Sequence, residues 1–175
     1  MLNLSLNDLL SYTDWEREKW YAWLLERGDQ VLRIKIGEHG DGRFQILGDL
    51  VRHIFSAEKR YVERLSGRPL TDTSTVSTEK IDEIFRFGAE SRRQLREFIA
   101  TFPHDQWDVP QQLKIVNSSI SATPRKIIMH VVLHEVRHWA QVATFLRLNG
   151  LPGDFHDFLF SPVMGGEIKR EQTKA

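Results

Sequence analysis

The chain has 175 residues, with 24 Lys plus Arg against 24 Asp plus Glu. That balance offers no electrostatic case for nucleic acid or a membrane surface as a partner. There is no Cys, which excludes disulfides, thiolate metal sites and cysteine nucleophiles and leaves His and carboxylates to hold any metal. The length suits a single domain over 1–175, and the lack of Cys fits a cytoplasmic location.

The opening stretch MLNLSLNDLL has no basic region and soon meets Asp8, so neither a signal peptide nor a membrane span is expected. A first helix is predicted from about Asn7 to Arg27. Ser5 and Asp8 are placed as a capping pair, and Gly28 ends the helix. Leu9, Thr13, Trp20, Trp23 and Leu24 lie near one stripe. Residues 29–42 read as an extended crossover, although Val31, Arg33 and Lys35 alternate as in a short strand. A second helix is predicted over Leu47–Leu65, with Leu50, His53, Ile54, Ala57, Tyr61 and Leu65 on its inward stripe.

A third helix is expected from about Thr78 to Phe102, with Ile81, Phe85, Gly88, Leu95, Phe98 and Phe102 inward and Pro103 stopping it. The long connection Asp105–Ala122 contains the half-alternating LKIVNSSIS. Thr123 caps the fourth helix, Pro124 fits its first position, and Gly150 with Pro152 closes it. Beyond it, Phe155–Phe160 is expected to pack on the bundle, and the last ten residues to fray. These elements predict an all-α fold: a four-helix bundle with long crossover connections and a C-terminal tail packed on it.

The fourth helix carries the chemistry. His130, His134 and His138 recur every four residues, so they form one ridge along the helix, on the stripe of Ile127, Val131, Gln141 and Phe145. His130 and His138 are eight residues apart, roughly 12 Å along the axis, whereas a metal–nitrogen bond spans about 2 Å. Two neighbours can therefore chelate one ion and the third cannot reach it. A further ligand must come from another helix, and His53 is the histidine on an inward stripe elsewhere; His39, His104 and His156 fall in loops or the tail. The expected site is His53 with either adjacent pair on the last helix. A lone histidine on an apolar face is more often a hydrogen-bonded core residue, but three in register beside a fourth favour a metal. Three imidazoles suit Zn, Ni, Cu or Fe, with Zn and Ni expected foremost.

His53 in the second helix, followed by Ala57–Glu58, and a last helix reading HEVRHWAQVATFLRLNG resemble the DinB-like family over essentially the whole chain. The family's last-helix pattern, a His, a second His four on and a Gln three further, falls on His134, His138 and Gln141. The resemblance implies a four-helix bundle, a homodimer, and a divalent ion held by His53, His134 and His138, with His130 left beside the site. It also implies a metal-dependent enzyme acting on a small molecule, of thiol-dependent S-transferase or hydrolase type, with a low-molecular-weight thiol as a further cofactor. A non-catalytic metal-binding stress-response dimer is the competing class.

His134–His138 also spells HExxH, in which Glu135 would be the general base of a metallohydrolase. Zincins take a third ligand downstream and hold peptide on an edge strand, and neither is evident here. The plainer expectation for Glu135 is a surface partner of an Arg or Lys on a neighbouring helix. Glu58, about 500° round from His53, is expected to be a salt-bridge partner. Tyr61 could line a pocket, with a core aromatic the plainer expectation, and Arg137 and Trp139 are expected at a surface, an interface or the rim of a pocket.

Overall fold

The computed structural model describes residues 4–37, 42–115, 118–153 and 156–165. Four long helices make up most of it: α1 (Leu6–Arg27), α2 (Leu47–Leu65), α3 (Ile81–Thr101) and α4 (Pro124–Leu148). They start where local chemistry starts them. The Ser5 hydroxyl accepts from the Asp8 backbone N–H while the Asp8 carboxylate accepts from the Ser5 N–H, so the predicted capping pair forms. At α2 the Asp49 carboxylate plays the reciprocal part, accepting from the Gln45 and Ile46 backbone. The Thr123 hydroxyl caps α4, with Pro124 in the first turn.

Three sequence expectations are corrected. The fold is not purely helical, because the connection before α4 forms β1 (Gln111–Ile115) and β2 (Ser118–Ala122). These pair antiparallel, with Leu113 opposite Ile120. Leu113 and Ala122 bury themselves against the bundle while Ile120 stays exposed; two buried contacts anchor a short two-stranded ribbon that a weak alternation barely announces. The crossover after α1 is instead a 3₁₀ helix, Asp29–Arg33, burying Val31 and Leu32, followed by a bridge between Lys35 and Ile46. α3 starts at Ile81, three residues later than expected from Thr78. The Asp29 carboxylate, from across the bundle, takes the Ile81 N–H at 3.0 Å, a tertiary cap that local sequence does not reveal.

The core runs through the bundle in two clusters. Trp20, Trp139, Phe55 and Ile84 belong to one, and Leu10, Val62, Leu95 and Val132 to the other. Trp20 and Trp139 stack with centroids 5.7 Å apart. Trp139 is thus a core residue, neither rim nor interface. At Gly88 the α3 backbone closes on the Phe55 ring, where an added Cβ would lie 2.7 Å from the ring.

A buried ionic cluster takes one residue from each helix. Arg17 (α1) donates to Glu58 (α2) at 2.9 Å and to Glu135 (α4) at 2.5 and 2.8 Å. Arg92 (α3) donates to Glu135 at 2.6 Å and pairs with Glu58 at 3.1 Å. Both carboxylates are 1% exposed. Glu58 is the salt-bridge partner expected from its angle to His53. Glu135 does meet arginines of neighbouring helices, but in the core instead of at the surface.

The tail packs on α1. The Tyr12 hydroxyl donates to the His156 carbonyl at 2.7 Å, His156 stacks on Trp20 at 4.0 Å, and Phe158 meets the Tyr12 ring edge-on. Phe155 and the last ten residues lie outside the described residues, as does His39.

Candidate metal centre

α2 and α4 pack side by side and face each other with histidines. His53 Nε2 lies 3.1 Å from His134 Nε2, and His138 Nε2 lies 3.0 Å from that same His134 atom. The ligating nitrogens of these three residues all fall within 4.8 Å of one another. Three imidazole nitrogens at that spacing converge on one point, a geometry suited to a single cation.

The protonation chemistry fits a cation as well. The His138 ring contacts Gln141 Oε1 through Nδ1 at 2.5 Å; the amide oxygen can only accept, so Nδ1 carries the proton and Nε2 presents its lone pair to the cluster. Burial, with the charges of His138, His53, His130 and Arg137 behind it, pushes the His134 imidazole down to about 3. His134 therefore stays neutral at ordinary pH, as a ligand must. Gln141, one turn beyond His138, holds its ring through the Nδ1 contact.

His130 is not part of this group. It is exposed, one turn nearer the start of α4, with its ring 5.6 Å from His134 and edge-on to Tyr61 at 5.3 Å. His130 and Tyr61 line a cavity of about 500 Å³ that opens over His53, His134 and His138. Tyr61, half-buried on that wall, lines the pocket, one of its two expected roles, while its other side packs against the core. His53 likewise sits on the cavity side of α2, while the core side is carried by Leu50, Val51, Ile54 and Phe55.

Glu135 takes no part in the cavity. Burial alone would raise its carboxyl, but Arg17 and Arg92 hold it below the usual carboxylate range, and Trp139 Nε1 donates to it at 3.1 Å. The general base that an HExxH reading requires is thus turned into the bundle and committed to three donors.

Sequence reasoning took Glu58 and Glu135 for ion-pair partners but missed their arginines, Arg17 and Arg92, and the burial of the cluster. The signal was present: Arg17 stands four after Thr13 and three before Trp20, and Arg92 stands four after Gly88 and three before Leu95. A charge on a core stripe calls for a buried partner.

Among the described residues no helix is long and apolar enough to cross a membrane. A search among curated proteins finds no match. The model of the DinB family matches residues 1–170, nearly the full length, and the chain belongs to that family.

Proposed function

We propose that His53, His134 and His138 hold one divalent cation, zinc or nickel, and that the protein is a metal-dependent enzyme acting on a small molecule in the cavity above them. A cation held by three neutral imidazoles, with coordination positions to spare, supplies Lewis acidity that lowers the pKa of a water or thiol brought to it. Thiol-dependent S-transfer and hydrolysis are the two reaction classes that follow. The protein's own residues set the stage: Gln141 fixes the tautomer of His138, burial keeps His134 neutral, and Phe44 walls the histidines with its ring 4.8 Å from His53.

The observation that carries this reading is the cavity. A non-catalytic metal-binding protein needs no space over its ligands, whereas here about 500 Å³ opens onto the three histidines, within the range of small-molecule sites. A homodimer and a low-molecular-weight thiol cofactor belong to the same reading through the family resemblance, and sedimentation showing a monomer at micromolar concentration would remove the dimer.

The test joins elemental analysis of the purified protein to turnover of a generic electrophile with and without a small thiol. Stoichiometric zinc or nickel with thiol-dependent turnover supports S-transfer. Turnover independent of thiol supports hydrolysis. Metal without either activity favours the stress-response metal-binding class, and no metal uptake overturns the reading.

A further inference from the structure

The chain's charges balance overall, but the walls of the histidine cavity do not. Among the described residues Arg43, Arg52, Arg60, Arg64 and Arg137 line it, against one carboxylate, Asp49. Asp49 is already engaged: it accepts from the backbone of Gln45 and Ile46 and lies 3.6 Å from Arg52. Arg60, Arg64 and Arg137 have no carboxylate within ion-pair distance among the described residues. Several arginines elsewhere on the surface do have one, Arg33 with Glu79, Arg93 with Glu90 and Arg125 with Asp108; Arg60, Arg64 and Arg137 are set apart by sharing one cavity.

The helices bring these three cations to the histidine side. Arg60 and Arg64 follow His53 by seven and eleven residues, which returns each to within about 20° of its direction at 100° per residue. Arg137 follows His130 by seven and shares its direction in the same way. Arg64 is half-buried, its guanidinium over the Tyr61 ring at 5.7 Å and one N–H on the Arg60 carbonyl at 3.3 Å. Burial together with the like charge of Arg60 holds the Arg64 guanidinium below its ordinary proton affinity. An anion placed between them would relieve both penalties.

We infer that the cavity binds a small-molecule oxyanion, a carboxylate or phosphate group gripped by Arg60, Arg64 and Arg137, with the rest of the ligand directed at the three histidines. Planar guanidinium groups match both kinds of oxyanion through paired hydrogen bonds, and a cationic mouth with low-dielectric walls draws anions in. This assignment of substrate class rests on the reading of the cavity as the substrate site.

Calorimetric titration at low ionic strength tests it, with inorganic phosphate and succinate as separate probes, on zinc-loaded and metal-free protein. The wild type should bind at least one probe in both forms, and the stronger probe tells which oxyanion the site prefers. Arg60→Gln, Arg64→Gln and Arg137→Gln should each weaken binding about threefold or more, and the triple variant about tenfold or more, with unchanged circular dichroism and zinc content. No binding of either probe to the wild type overturns the proposal. So does a triple variant that binds as tightly as the wild type, since the histidines or the metal would then be taking the anion. If the protein takes no zinc, the metal reading fails alone, because the metal-free titrations still measure the arginines.

Discussion

His134 and Glu135 are neighbours in sequence and serve different faces of α4: His134 Nε2 lies 3.1 Å from His53 in the cavity wall, while the Glu135 carboxylate accepts from Arg17 and Arg92 in the core. The 100° step between consecutive helical residues puts them there. The cluster that holds the four helices together is therefore one residue away from the candidate ligand, on the same rigid element.

Glu135→Gln should accordingly act on stability before chemistry. Removing one charge from a buried pair leaves its partners uncompensated and costs on the order of 3–5 kcal/mol. Urea denaturation should show that loss, while the folded fraction still takes up zinc. A variant of wild-type stability that has lost its metal would assign Glu135 to the site instead of the scaffold.

The histidines can be told apart by metal affinity. His53→Ala should lower it about tenfold or more, at least as much as loss of an outer hydrogen-bonding partner does. His138→Ala should abolish binding and His130→Ala should leave it largely intact. His134→Ala abolishes it under either adjacent pairing and so decides nothing between them. Metal lost in His130→Ala and kept in His138→Ala would move the site one turn toward the start of α4.

Gln141→Leu removes the acceptor for His138 Nδ1–H while keeping the side chain's bulk. The imidazole is then free to change tautomer, and zinc affinity should drop about tenfold. Nitrogen chemical shifts of His138 would report the tautomer directly. Unchanged affinity and shifts would show that Gln141 does not orient the ring.

Glu16 is buried, with its Oε2 unpartnered among the described residues. Burial first, and the charge of Glu135 second, push its carboxyl up to about 8 from an ordinary 4.5. The folded state thus keeps a proton that the unfolded state releases, so stability is greatest below the lower value and falls as pH rises through that window. Glu16→Gln, which never ionises, should flatten the decline in stability between about pH 5 and about pH 8. Parallel declines in wild type and variant would show that Glu16 ionises freely.

The local code was legible from the chain alone: the Ser5–Asp8 capping pair, Thr123 and Pro124 at the start of α4, and the histidine ridge itself. Each depends on residues within a few positions of one another, where spacing and side-chain type determine geometry. Periodicity also separated Glu58 from His53, because angle around a helix follows from sequence distance alone.

What lies across the bundle was decided only by packing. Spacing left two histidine pairs open on α4, and the approach of α2 at His53 brings together His134 and His138, leaving His130 on the cavity wall. The Asp29 cap on Ile81, the burial of Arg17 and Arg92 and the pairing of β1 with β2 are likewise contacts between distant segments. The reason is physical: a sequence determines which face of a helix a residue occupies, but whether that face meets a core, a cavity or solvent depends on which other helix arrives there.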